Sequence, residues 1–120
     1  MEILFVHLLI GPLLLLIFYI VKARPPKKIN KMYGYRTPAS MRSQATWDFA
    51  NSYSTDWMIK LMWVLVLVVQ LPLMLFTDAE VSIMVSVGIM LVFLIVPIIM
   101  TERRLRQMFD NEGNYREEFV

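Results

Sequence analysis

Three long apolar runs dominate the pattern of hydrophobic and polar positions along the chain. They occupy residues 3–21, 57–76 and 81–100, and the first contains no charged residue. At about 1.5 Å of rise per residue, each run is long enough to cross a hydrocarbon layer of about 30 Å. Only residues 77–80 separate the second run from the third, so these two form an antiparallel hairpin. The pattern therefore predicts three transmembrane helices.

The segment before the second run has a different period. Thr37 followed by Pro38 is typical of a helix start, with a capping side chain before a proline at the first helical position. Apolar and aromatic positions then recur on one face, at Thr46, Phe49, Ala50, Tyr53 and Trp57. This spacing predicts an amphipathic helix that lies on the inner membrane surface and turns into the second transmembrane helix.

The predicted fold class is an all-α integral membrane protein in a single membrane domain. It consists of transmembrane helix 1 at residues 3–21, a basic and aromatic loop at 22–37, an interfacial amphipathic helix at 38–56, transmembrane helix 2 at 57–76, transmembrane helix 3 at 81–100 and a cytoplasmic tail at 101–120. The hydrophobic share of 58% exceeds the usual share in soluble domains, which agrees with this class.

Basic residues fix the predicted orientation, because lysine and arginine near helix ends are kept on the cytoplasmic side. The first loop and its margin hold Lys22, Arg24, Lys27, Lys28, Lys31, Arg36, Arg42 and Lys60, and the tail holds Arg103, Arg104, Arg106 and Arg116. The only charged residues on the opposite side are Glu2, Asp78 and Glu80. We expect a bacterial inner-membrane protein with its N-terminus outside and its C-terminus in the cytoplasm, whose basic inner face attracts anionic lipid headgroups rather than nucleic acid.

Three polar residues inside the apolar runs form a candidate intramembrane site. His7, Gln70 and Ser86 all lie at a similar depth below the outer edge of the predicted membrane. Unpaired polar groups are costly in hydrocarbon, so we expect these side chains to face one another as a polar layer. Two interpretations stay open: hydrogen bonds that hold the helices together, or a pocket open to the outside in which His7 titrates.

The residue content argues against an enzyme. Cysteine is absent, the chain has one histidine, and its carboxylates are scattered, so no catalytic constellation, metal site or cofactor is expected. Neither a phosphate-binding glycine loop nor a nucleophile elbow is present.

The first loop carries the candidate functional motif. One interpretation is an interfacial elbow, with arginine near phosphate and aromatic rings at the headgroups. The other is that Arg36 pairs with a defined anionic group, such as Asp48, a lipid phosphate or a partner's carboxylate, and so fixes the turn. The motif consists of Asn30, Tyr33, Gly34, Tyr35, Arg36, Thr37, Pro38, Ser40, Trp47 and Asn51.

Together with Ala50, these residues resemble the SdpI family, membrane immunity proteins named after a bacterial system that resists a sporulation-delaying peptide toxin. The resemblance implies a small polytopic protein of the bacterial cytoplasmic membrane, associated in the namesake with toxin immunity and with membrane sequestration of a transcriptional repressor. The expected partners are therefore a peptide toxin, a cytoplasmic regulator or other membrane subunits in a homo- or hetero-oligomer. Two other classes of function stay open: an accessory subunit of a larger membrane complex, and a small oligomeric transporter.

Overall fold

The computed structural model describes residues 2–119, which form an elongated helical bundle of 53 × 24 × 18 Å. Three helices are long and apolar enough to cross a membrane: α1 (Glu2–Ala23), α2 (Gln44–Phe76) and α3 (Ala79–Met108). A 3₁₀ turn, Glu117–Phe119, follows them. The all-helical membrane fold predicted from the apolar runs is confirmed.

α1 and α2 each contain a local departure from regular α-helix. α1 is divided at Gly11 into Glu2–Ile10 and Pro12–Ala23. In α2 the segment Leu65–Gln70 is a π-helix, in which the N–H of Leu71 bonds to the carbonyl of Val66. The break at Gly11 directly precedes Pro12, and the π-helix ends at Gln70, two residues before Pro72. A proline ring has no N–H and crowds the preceding turn, so a regular α-helix is disturbed there.

The start of α2 differs from the sequence prediction. The helix begins at Gln44 rather than at Pro38, with Ser43 as its N-cap. The Ser43 side chain accepts the N–H of Thr46, and the Thr46 hydroxyl accepts the N–H of Ser43. Thr takes the position that Glu or Gln holds in the usual capping box, so the usual sequence signature is missing. The part of the predicted interfacial helix that is helical, from Gln44 onward, is thus the first part of α2.

The end of α3 also lies further along the chain than expected. The helix begins at Ala79 after the N-cap Asp78, whose carboxylate accepts the N–H of Val81 at 3.0 Å. It continues through the predicted membrane boundary at Met100 to Met108. Polar and arginine-rich helix therefore projects beyond the apolar span.

Two apolar clusters hold the bundle together. One lies between the membrane-spanning segments and centres on Ile10, Leu15, Ile59, Met62 and Leu65. The other centres on Ala50, Leu105 and Phe109, beyond the apolar spans. We call the end with the first loop and the residues after Met108 the loop end, and the end with residues 77–78 the hairpin end.

The loop motif and the intramembrane polar layer

Asn30 closes the first turn of the loop. Its side-chain oxygen accepts the backbone N–H groups of Met32 and Tyr33, both at 2.9 Å, and its amide donates to the carbonyl of Lys28 at 2.8 Å. Such local bonds are what makes asparagine favourable in turns. The Tyr33 hydroxyl then donates to the carbonyl of Arg24 at 2.7 Å. These bonds join the two ends of the basic stretch.

Gly34 lies close to Asn51 of α2. Gly34 has φ of +109°, a conformation that side chains other than glycine rarely adopt. A Cβ atom there would lie 2.7 Å from Asn51 Oδ1 and 2.7 Å from Pro26 Cγ. The same Asn51 oxygen accepts the N–H of Tyr35 at 2.6 Å, and the Asn51 amide donates to the carbonyl of Trp47 at 2.9 Å. The glycine is therefore required both by the backbone angle and by the space available.

Tyr35 connects the loop to α3. Its hydroxyl donates to Glu102 Oε1 at 2.7 Å and lies 3.1 Å from the carbonyl of Ile98. Burial, together with the neighbouring carboxylate of Glu102, raises the pKa of the Tyr35 phenol well above its ordinary value. The phenol thus stays a neutral donor at physiological pH.

Thr37 and Ser40 close a separate single turn. The N–H of Thr37 donates to Ser40 Oγ at 2.9 Å, and the N–H of Ser40 donates to Thr37 Oγ1 at 3.2 Å. Ser40 is fully buried, whereas Pro38 is exposed. The start signal at residues 37–38 thus produces one turn, and the chain bends again before α2.

Trp47 of α2 holds the loop against this helix. Its side chain is fully buried, and its indole N–H donates to the carbonyl of Pro26 at 2.6 Å. A buried indole usually finds a hydrogen-bond partner, and here the partner is main chain of the loop. The predicted motif residues are therefore brought together, chiefly by bonds among themselves.

Arg36 is the exception within the motif. Its side chain is exposed and donates to the carbonyl of Lys31, which lies across the turn. Arg36 is not paired with Asp48, one of the groups considered from the sequence: within residues 2–119 the ion pair is Lys22–Asp56, and Asp48 accepts the amide of Gln44 at 2.7 Å. A guanidinium carries five N–H donors, so Arg36 keeps donors for an external anion.

The second predicted site, the polar layer near the hairpin end, is assembled differently from the expectation. His7 is buried, and its Nε2 lies 2.6 Å from the hydroxyl of Ser82, not from Ser86. Its Nδ1 lies 2.8 Å from the carbonyl of Ile3, which can only accept, so Nδ1 is the donor of that bond. Gln70 contacts His7 through main chain, donating to its carbonyl at 2.9 Å.

Two atoms of this layer have no hydrogen-bond partner among residues 2–119, Gln70 Oε1 and Ser86 Oγ, and both are buried. The Gln70 oxygen lies against Gly11, where a Cβ atom would approach it to 2.2 Å. The break in α1 and the π-helix of α2 thus meet at this point. Close packing at a small residue is typical of membrane helices.

Several residues of these sites were not identified from the sequence. Pro26, Glu102 and Ser82 supply the partners just described, and Ser43 donates to the carbonyl of Gly113 at 2.6 Å. That last bond holds a turn in which Asp110 accepts the N–H groups of Glu112 and Asn114. Accepting the N–H of Asn114, above all, lowers the pKa of Asp110. No local pattern marks these partners, because each is distant in the chain.

Within residues 2–119, no three histidine, aspartate or glutamate side chains converge on a point that could hold a metal ion. Several donors of the loop motif bond to groups of the same chain: the Trp47 indole to a carbonyl, the Thr37 N–H to a hydroxyl and the Tyr35 hydroxyl to a carboxylate. The arrangement is thus a hydrogen-bonded loop in which the guanidinium of Arg36 is exposed and keeps N–H donors for an anion.

Comparison with known proteins identifies the family. The uncharacterized protein YfhL of Bacillus subtilis (strain 168) is 47% identical over 49 residues, a match that covers 41% of this chain and 44% of that protein. No solved structure gives a significant match. The model of the SdpI/YfhL protein family matches residues 27–101, well over half of the chain and inclusive of the whole loop motif. The chain therefore belongs to the SdpI/YfhL family.

Proposed function

We propose that this chain is a bacterial cytoplasmic-membrane protein that gives immunity or a response to a membrane-active peptide toxin, by binding and without catalysis. The observation that carries the proposal is family membership over a region that includes both the loop motif and most of α2 and α3. The resemblance of that motif to membrane immunity proteins supplies the toxin as partner. The exposed guanidinium of Arg36, which keeps N–H donors for an external anion, supports a binding role.

A groove at the hairpin end supports peptide capture as the physical mechanism. It lies between α2 and α3, has a volume of about 360 Å³ and is lined almost entirely by apolar side chains, among them Val69, Pro72, Leu73, Phe76, Val85 and Ile89. Phe76 is 84% exposed at its edge. An amphipathic peptide can pack its apolar face into such a groove through van der Waals contacts, as membrane helices pack against one another.

Capture from outside requires the hairpin end to face the periplasm or exterior, as the distribution of basic residues predicts. The chain has no cysteine, so single cysteines report topology directly. Lys28→Cys and Glu80→Cys place exposed thiols at the two ends. We expect an impermeant maleimide to label intact cells only at residue 80; labelling only at residue 28 would contradict the mechanism.

Survival of a toxin-sensitive bacterial strain tests the function itself. Cells that express the chain, exposed to purified sporulation-delaying peptide, should survive concentrations that kill cells with an empty vector. Phe76→Ala should reduce this protection, whereas Leu75→Ala, an exposed neighbour outside the lining of the groove, should not.

Protein abundance in the membrane is measured in parallel, so that loss of protein is not mistaken for loss of function. No protection by wild-type protein present at full level would overturn the proposal for this toxin. Protein that accumulates only with a co-expressed membrane partner would instead indicate an accessory subunit.

A further inference from the structure

A cleft at the loop end lies between α1 and α3. The first half of α1 packs against α3, whereas its second half packs against α2 and diverges from α3. The resulting space has a volume of about 410 Å³ and is covered by the loop at residues 34–37. This volume falls within the range of about 300–1,000 Å³ of small-molecule sites.

The lining of the cleft is divided by polarity. Phe18 and Val21 of α1, Met58 of α2 and Ile98 of α3 supply an apolar part. These four residues lie at the loop-end limits of the three apolar runs, where the upper acyl chains of a bilayer meet the headgroups. The other part is polar and comes from the loop motif and the first turns of α2.

Arg36 is the one charged residue among the residues that line this cleft. The adjoining cavity, of about 370 Å³, has Asp48 and Asp56 in its lining beside Lys22 and Lys27, so its charges balance. Glu102 is outside the lining of the cleft and accepts the Tyr35 hydroxyl. Arg36 therefore places a positive charge in the lining itself, beside an apolar surface.

Donors for an anion are available at the polar part. Arg36 gives one bond to the carbonyl of Lys31 and retains further N–H groups. Thr37, Ser54 and Thr55, each of which carries a hydroxyl, line the same cleft. A planar guanidinium with neighbouring hydroxyls suits the oxygens of a phosphate group.

We infer that this cleft is a binding site for an anionic glycerophospholipid, with its phosphate on Arg36 and the upper part of an acyl chain beside Phe18, Met58 and Ile98. A free phosphate ion would satisfy the guanidinium but leave the apolar part of the cleft uncovered. A zwitterionic lipid would cover the apolar part but bring its own cation to a positive site. The inference is independent of the proposed immunity function.

Lipid binding to the purified protein tests the site. Native mass spectrometry from detergent, with added phosphatidylglycerol or phosphatidylcholine, gives the bound fraction for each lipid. We expect phosphatidylglycerol to bind the wild-type protein more tightly and Arg36→Ala to weaken it roughly tenfold, as removal of a charge-assisted hydrogen bond predicts. Arg103→Ala, which removes an exposed arginine of α3 outside the cleft, is the matched control and should have no such effect.

A second variant keeps the motif intact. Met58→Trp fills the apolar part of the cleft without touching Arg36, and should also displace phosphatidylglycerol. Equal effects of Arg36→Ala and Arg103→Ala would overturn the inference and indicate only surface attraction. Competition by millimolar inorganic phosphate, together with wild-type binding by Met58→Trp, would overturn the lipid and indicate a free-anion site.

Discussion

The phenolic hydroxyl of Tyr35 lies 2.7 Å from Glu102 Oε1, to which it donates a hydrogen bond. The two residues belong to the first loop and to the extension of α3 beyond its apolar run. Tyr35 is also bonded through its N–H to Asn51 of α2. One residue of the loop thus ties the two helices of the hairpin at their far ends.

This relationship predicts a loss of stability at high pH. The folded state raises the pKa of Tyr35 above its ordinary value of 10.0, first through burial and then through Glu102. The unfolded phenol therefore ionises first, and the stabilisation is complete below pH 10 and declines as the pH rises further. Thermal unfolding in detergent between pH 9 and 11.5 measures this decline.

Tyr35→Phe should lower stability at pH 8 and make the remaining decline shallower than in the wild-type protein. Glu102→Gln keeps an acceptor without the charge, so it should reduce the decline only in part. Identical pH profiles of wild type and Tyr35→Phe would show that the phenol is not buried as described.

The glycines provide a matched pair of substitutions. Gly34→Ala should cost about 2 kcal/mol of stability or more, because alanine is strained at positive φ and its Cβ would overlap Asn51. At Gly88, in α3, an added Cβ would have no atom within 4 Å. Gly88→Ala should therefore be neutral or stabilise the protein by up to about 1 kcal/mol, as helix propensity predicts. Unfolding in mixed micelles measures both, and equal losses would contradict the assigned loop conformation.

The buried indole of Trp47 should contribute more than the half-exposed one of Trp63. Trp47→Phe removes the bond to Pro26 and leaves a gap, at a cost of roughly 2–3 kcal/mol. Trp63→Phe removes a bond to the Tyr19 hydroxyl at an exposed site and should cost less than about 1 kcal/mol. Unfolding free energies of the two variants in the same micelles test the difference. A larger loss for Trp63→Phe than for Trp47→Phe would contradict the buried bond between Trp47 and the loop.

A pair of double-mutant cycles tests the polar layer. His7→Ala and Ser82→Ala should be coupled by about 0.5–1.5 kcal/mol, because the ring and hydroxyl bond directly. His7→Ala and Gln70→Leu should be nearly additive, since Gln70 bonds to the His7 carbonyl, which the substitution leaves in place. Strong coupling in the second cycle and none in the first would contradict the arrangement.

Ser43→Ala should release the turn that follows α3 as well as weaken the start of α2. The variant loses the N-cap and the bond to Gly113, at a cost of about 1–2 kcal/mol. Limited proteolysis should then cut near residue 113 faster than in the wild-type protein. Ser52→Ala, at an exposed mid-helix position, is the control and should leave the cleavage rate unchanged.

The sequence alone determined the membrane character and the number of long helices, because uninterrupted apolar runs of bilayer length have few alternatives in water or lipid. It also located the loop motif, since the turn chemistry of Asn30, Gly34 and the Thr37 to Ser40 turn is local. Local capping signals did not locate the start of α2: residues 37–38 begin only one turn, and the helix begins after its N-cap, Ser43.

Tertiary structure decided which residues meet. His7 pairs with Ser82 rather than Ser86, and Gln70 reaches main chain, because the rotation of each helix about its axis depends on packing and not on depth in the membrane. Glu102 and Pro26 become partners of Tyr35 and Trp47 only when distant segments fold together. The cleft beside Arg36 has the same origin: the divergence of α1 from α3 is a property of three packed helices, and no single segment encodes it.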